Sequence, residues 1–339
     1  MITKLAIVGS GFGMYCLLPA FHKTIGCKVV SICGKNSSRM RDFCTKFDVT
    51  RYDNWKEMLE KEKPDAIAIA VIPKFQFDII KYSIEHKIAV FAEKPLTTSY
   101  DSALELAKLA EKMMLPNMID FEFPEIPQWR KAKKIIESDN IGKISHVKVN
   151  WSFLSYDLKN QIKSWKTETV KGGGVISLVV SHVFYYLENF LGEIECMESV
   201  VSSSEKSLNK GETTIKICIK FKNGCKGIVN VDISNSEISQ HIIEFDGSNA
   251  KLILENKSTR LVDNFELYLL ESDNSKKIQV NNEFLNNDES EDPRIKIVKF
   301  VAQKFVNWCN TGISQRPNFE DGARVQKLID MSYSNSKNQ

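Results

Sequence analysis

The chain has 339 residues, 42% hydrophobic and 26% charged, the balance of a globular protein long enough for about two domains. A formal net charge of +3 is too small to mark a nucleic-acid or polyanion surface, and the densest basic cluster, Lys131 to Lys134, reads as the coat of a helix. The eight cysteines form no CxxC pair and no apolar run is long enough to cross a bilayer, so zinc, membrane and disulfide frameworks give way to a reduced, cytoplasmic setting.

The first apolar run, Leu5–Val8, leads straight into glycines, as a first strand does and a signal peptide does not. Met14 to Thr24 reads as a helix interrupted by Pro19, Lys28 to Gly34 as a second strand, and residues 37–47 as a helix opening on serine caps. Residues 65–73 form a fully buried strand pattern, 75–86 a helix, 88–95 another buried strand, and 99–114 an amphipathic helix capped by Ser99 or Asp101. Buried strands alternating with helices predict an α/β domain over 1–120, a doubly wound parallel sheet covered on both faces. After Pro124 the period changes. A helix over 129–137 is followed by alternating strands near 146–153, 213–221, 227–233, 241–245, 250–254 and 265–270, then by helices over 295–309 and 322–333. Residues 121–339 therefore read as an α+β domain with a large, mostly antiparallel open sheet. One face of that sheet is polar: His146, Lys148 and Asn150; Lys216, Cys218 and Lys220; Asn230 and Asp232. Residues 281–293 read as a polar loop and 334–339 as a fraying tail.

Gly9-Ser10-Gly11-Phe12-Gly13-Met14 sits between the first strand and a helix, the context in which a glycine turn holds a pyrophosphate. Gly9 allows the tight turn and Gly11 lets backbone approach the phosphates. Met14 stands where a third small residue would bring helix and strand closest, so the helix is expected slightly farther out. No acid follows the second strand to bind a ribose 2′-hydroxyl. Lys35, Ser37 or Ser38, and Arg39 could hold a 2′-phosphate, or simply be exposed at a helix entry; NADP is favoured over NAD, which stays open.

Glu93-Lys94-Pro95 ends a buried strand at the carboxyl edge, where ligands of open α/β sheets collect, and a lysine there can stabilise charge developing on a substrate oxygen. With GSGFG, the strand ending in Pro73, AEKP, the IGKI of 141–144, the GGG…SH of 172–182 and the closing NFEDGARVQKLID in this order, the chain resembles the Gfo/Idh/MocA oxidoreductases (glucose–fructose oxidoreductase, inositol dehydrogenase and rhizopine-catabolism proteins) over nearly its whole length. The resemblance implies a Rossmann domain binding a nicotinamide dinucleotide, with Gly9, Gly11, Phe12, Gly13, Lys35, Ser37, Arg39, Pro73, Glu93 and Lys94 as candidate cofactor contacts. It implies hydride transfer at a carbon bearing a hydroxyl or keto oxygen in a sugar, cyclitol or related compound. Lys94 would lie between nicotinamide and substrate and hydrogen-bond the reacting oxygen, while His182 takes or gives its proton.

The chain departs from the family pattern at several positions. Leu178 and Val180 replace the Asp and Gly that precede the family histidine, Tyr185 stands where a second Asp often follows, and Phe77 replaces a strand-end histidine. On an α-helix residues 178 and 182 would share a face, so His182 loses the carboxylate that usually orients it. Tyr185 is a candidate proton donor. Glu122 is either a substrate carboxylate or a strand-end acid, and Trp165 either lines a pocket or belongs to a core. A non-catalytic dinucleotide-binding regulator of the same family is the alternative to an enzyme, and a homodimer is the expected assembly.

Overall fold

The sequence alternates short apolar runs with capped amphipathic helices, and the computed structural model turns these into two compact units, Met1–Glu122 with Asn286–Gln326 and Phe123–Leu285 with Lys327–Gln339. The structure describes all residues except Met1, Glu205, Lys206, Leu208, Lys210, Ser236, Leu261, Ser272, Asp273, 281–290 and Gln339.

In the first unit, six strands form one parallel sheet: β1 (Thr3–Val8), β2 (Cys27–Cys33), β3 (Thr50–Tyr52), β4 (Ala66–Ile69), β5 (Ala89–Ala92) and β6 (Asn117–Ile119). Their order, β3-β2-β1-β4-β5-β6, is that of a doubly wound dinucleotide fold with its switch point between β1 and β4. β4 and β5 are buried at every position because helices cover both faces, which explains their unbroken apolar runs. The helices are α1 (Leu18–His22), α2 (Ser38–Phe47), α3 (Trp55–Glu62), α4 (Pro73–Glu85) and α5 (Tyr100–Lys112). Ser37, Asn54 and Ser99 accept backbone N–H bonds as the N-caps of α2, α3 and α5.

The first helix differs from expectation. Residues Gly13–Leu17 form a π-helical turn, and only then does α1 begin, with Pro19 in its first turn where a missing N–H is tolerated. Gly13, one position ahead of Met14, makes the close approach: a Cβ there would lie 3.4 Å from Ile7 Cγ2 and 3.5 Å from Ala70 Cβ. The turn thus brings helix and sheet together without a small residue at 14.

The second unit contains α6 (Pro127–Glu137), β7 (Ile144–Ser152), α7 (Tyr156–Lys159), a π-helical turn (Ile176–Val180), α8 (Ser181–Leu191), β8 (Ile194–Ser202), β9 (Thr214–Phe221), β10 (Lys226–Asp232), β11 (Gln240–Gly247), β12 (Lys251–Asn256), β13 (Glu266–Glu271) and β14 (Asn274–Lys277). The chain then returns to the first unit through α9 (Arg294–Thr311). There Phe305 meets Phe21 and Phe91 with ring centroids 6.3 and 5.8 Å apart, all three fully buried. It ends in α10 (Phe319–Ser334) and β15 (Ser336–Asn338).

Among the described residues, nine strands of the second unit join in the order β14-β13-β12-β11-β7-β10-β9-β8-β15. Most neighbours are antiparallel; β7 pairs in parallel with β10, and β15 with β8. Period-two alternation holds: Val147, Val149, Ile215, Ile217, Val229 and Val231 are buried. His146, Lys148, Lys216, Cys218 and Lys220 are exposed, with Asn230 and Asp232 half-buried. The expected fraying tail is instead an edge strand, because Lys337 comes into register with Val200 beside an otherwise open ladder. Of the polar loop expected at 281–293, residues 281–290 lie outside the described residues.

Candidate functional site

The carboxyl ends of β1, β4, β5 and β6 are laced together one residue beyond each strand. Gly9 N–H donates to the Cys33 carbonyl at 2.9 Å, Ala70 N–H to Val8 at 2.8 Å, Glu93 N–H to Ile69 at 2.8 Å, and Asp120 N–H to Ala92 at 2.9 Å. The glycine turn and the Glu93-Lys94 segment therefore stand on one rigid edge, on either side of β4. Gly9 has φ 141°, and a Cβ there would lie 2.3 Å from the Ala70 carbonyl oxygen. Gly11 is exposed and a Cβ on it would meet nothing within 4 Å, so the outer side of the turn is open to a ligand. That clearance fits a dinucleotide diphosphate held by backbone N–H groups.

At the end of β2, Lys35, Ser37 and Arg39 are exposed. Ser37 Oγ accepts the Met40 N–H at 3.1 Å, which fixes the start of α2. Arg39 lies 5.9 Å from the Tyr15 ring, beside the helix that leaves the glycine turn. The sequence reading missed Arg51 of β3, which reaches the same place: its Nη1 donates to the Gly34 carbonyl at 3.1 Å and pairs with Asp53.

Around Lys94 the structure gathers three carboxylates, Glu93, Asp120 and Glu122. Glu93 and Lys94 are half-buried, and Asp120 and Glu122 are buried. The segment is held from behind by Gln76 of α4, a fully buried residue whose Nε2 donates to the carbonyls of Glu93 (2.7 Å), Pro95 (3.1 Å) and Leu96 (3.1 Å). Pro73, the strand-end proline, is the first residue of that helix, and the Lys94–Pro95 peptide is cis. Asp120 is 1% exposed, and among the described residues neither of its side-chain oxygens meets a hydrogen-bond donor. Its neighbour is the Glu93 carboxylate, an acceptor like itself until one of the two carries a proton.

The electrostatics follow from this crowding. Burial raises Asp120 well above the usual carboxylate range, and Glu93 and Glu122 push it further. Glu93 is raised by burial against the pull of Lys94, and Glu122 is raised to about 7 by burial and by Glu93. Burial lowers Lys94, while Glu93 and Glu122 hold its charge. A second cation missed in the sequence, Arg294 of α9, also acts on these groups. Its guanidinium lies 4.9 Å from the Phe12 ring and 5.7 Å from that of Tyr15, anchored by Asp292 at 2.7 Å. Burial opposes its charge and Asp292 more than restores it. No local pattern marks Arg294, which arrives from a distant helix.

His182, Trp165 and Tyr185 lie in the second unit. His182 is 7% exposed in the first turn of α8, edge-on to Phe123 at 5.1 Å and near Trp151 at 6.5 Å. Leu178 belongs to the π-helical turn before α8, so the α-helical spacing expected between 178 and 182 does not apply. Tyr185 and Trp165 are half-buried, Trp165 in a short 3-10 turn. A Cβ on Gly173 would lie 2.2 Å from the Trp165 carbonyl oxygen and one on Gly174 2.0 Å from Glu212 Oε1, so two of the three glycines are demanded by packing. Glu212 accepts from Thr169 Oγ1 at 2.6 Å and from the Tyr333 hydroxyl.

The profile of an oxidoreductase family with an NAD-binding Rossmann fold matches residues 3–121, and that of the same family's C-terminal alpha/beta domain matches residues 133–339. Among curated proteins, the uncharacterized oxidoreductase sll0816 of Synechocystis is 26% identical over 198 residues, 58% of this chain and 53% of its own length. The matched stretches span only 35% and 33% of two further relatives. D-apiose dehydrogenase of Paraburkholderia graminis is 20% identical over 257 residues, 74% of this chain and 67% of its own. Among solved structures, the 3-ketoreductase KijD10 of Actinomadura kijaniata, in complex with NADP and TDP-benzene, superposes with a TM-score of 0.83 at 18% identity, covering 100% of this chain and 99% of its own. At that identity the likeness is one of fold.

Proposed function

This chain belongs to the GFO/IDH/MocA oxidoreductase family, and from that premise we propose that it moves a hydride between NADP and a hydroxyl- or keto-bearing carbon of a sugar, cyclitol or related compound. The observation that carries the reading is the position of Lys94, on the same laced strand-end edge as the open Gly11 turn and beside the switch point of the sheet. The names of D-apiose dehydrogenase and of the NADP-bound ketoreductase support a carbohydrate-like substrate and this cofactor.

The dinucleotide supplies the hydride acceptor or donor when bound. Gly9, Gly11, Phe12 and Gly13 would take its diphosphate, and Lys35, Ser37 and Arg39 its 2′-phosphate, while the acid at this place, Asp53, is paired with Arg51. Lys94 donates to the substrate oxygen and stabilises charge as it develops there. Glu93 and Glu122 keep Lys94 charged despite its setting. A homodimer remains part of the proposal.

Fluorescence titration with NADPH and NADH comes first: NADPH binding is expected, and no binding of either at millimolar concentration overturns the reading. A screen of sugars, nucleotide sugars, amino sugars and cyclitols then gives turnover. Lys94→Ala should abolish it, by about a thousandfold or more, with NADPH affinity retained. Unchanged turnover would remove Lys94 from the chemistry, and binding without any turnover would favour a regulatory protein.

A further inference from the structure

Asp120 is the least comfortable group in the first unit. It is 1% exposed, both carboxyl oxygens lack a donor among the described residues, and the nearest acid, Glu93, follows the neighbouring strand. Two carboxylates so close in a poorly solvated place cannot both ionise at ordinary pH. Among the described residues Lys94, Glu122, Arg294 from α9 and Cys16 from the π-helical turn are the other charged and titratable groups that act on the pair.

The pair also stands on a particular half of the sheet. A doubly wound sheet takes one mononucleotide half of its ligand over each side of the switch point. The exposed Lys35 and Arg39 stand at the β2 side, so the β4-β5-β6 side, with Glu93 and Asp120, faces the nicotinamide half. This placement rests on the function proposed above. NADP⁺ carries a positive charge on that ring and NADPH does not.

We propose that Glu93 and Asp120 share one proton in the free protein, release it when the oxidised dinucleotide binds, and store the substrate hydroxyl's proton during oxidation. The balance is simple. The alcohol would give up a hydride from carbon to the bound dinucleotide, and Lys94 would hand one of its ammonium protons to the ionised pair as it takes the hydroxyl proton in its place. The pair acts through Lys94, on the strand-end edge that both share.

The test needs no substrate. Calorimetric titration of the full-length protein with NADP⁺ and with NADPH, at pH 7 in phosphate and in Tris, counts protons from the difference in buffer ionisation enthalpy. NADP⁺ should release about 0.5–1 proton more than NADPH. Asp120→Asn, whose amide can donate to Glu93, should remove the difference while both dinucleotides still bind; Glu93→Gln serves if that variant does not fold. Equal proton counts in the wild-type protein overturn the proposal, as does a difference that survives in the variants or that vanishes with Glu122→Gln alone. If neither dinucleotide binds, the functional reading itself fails.

Discussion

Gly9 and Gly11 are two residues apart in one turn and are glycine for opposite reasons. At Gly9 the positive φ and the Ala70 carbonyl leave no room for a side chain; at Gly11 there is room to spare, which the proposed diphosphate would fill. Gly9→Ala should cost about 1–3 kcal/mol of stability, read by urea unfolding. Gly11→Ala should leave stability within about 0.5 kcal/mol and weaken NADPH about tenfold or more in a fluorescence titration. A Gly11→Ala protein that binds normally would mean the diphosphate does not lie on this turn. At this scale the sequence was legible where a motif has fixed spacing, as at Gly9, Gly11 and Lys94. It was silent on Arg294, whose approach to Phe12 is made by tertiary packing, and on Asp120, whose side chain is defined by what it fails to meet.

Among the elements, α4 does more than cover the sheet. Gln76 gives the Glu93–Leu96 segment a donor where the strand ladder has ended, so a buried residue of the covering helix sets where Lys94 stands. Gln76→Ala should leave three carbonyls without that donor, cost about 1–3 kcal/mol and speed amide exchange at 93–97 more than within α4. Uniform exchange would reduce Gln76 to a packing residue. The buried strands could be read from their composition, and α2 and α5 from their serine caps, whereas α3, capped by Asn54, went unread. Three-residue strands such as β3 and β6 carry too little pattern to show a period, and β15 becomes a strand only because β8 offers it an edge.

In the whole molecule, acid sensitivity should come in part from one ring in the second unit. His241 is fully enclosed, stacked on Trp151 with centroids 4.0 Å apart and sharing a 3.1 Å hydrogen bond with the Tyr186 hydroxyl. Burial lowers it to about 3, from an ordinary value of 6.5. Above 6.5 neither folded nor unfolded chain protonates it, and its contribution to stability is intact. Between 6.5 and about 3 only the unfolded chain takes the proton, so stability falls by about 1.4 kcal/mol per pH unit. The raised carboxyls of the first unit, Glu93, Asp120 and Glu122, act in the opposite sense, stabilising at low pH and losing that contribution as pH rises. Comparing wild type with His241→Phe isolates the ring. The variant, missing a partner for Tyr186, should be less stable at pH 7 and overtake or approach the wild type near pH 4; parallel curves would acquit His241.

The return of α9 to the first unit has a bearing on how the protein is made. Phe21 and Phe91 leave the ribosome early, while Phe305, which closes their cluster, comes only after the Phe123–Leu285 part of the second unit has been synthesised. At 5–20 residues per second that gap lasts roughly ten to forty seconds. For that time the nascent nucleotide-binding sheet keeps an apolar flank uncovered. A chaperone that recognises exposed aromatic surface has its opening then, between the birth of the sheet and the arrival of its last helix.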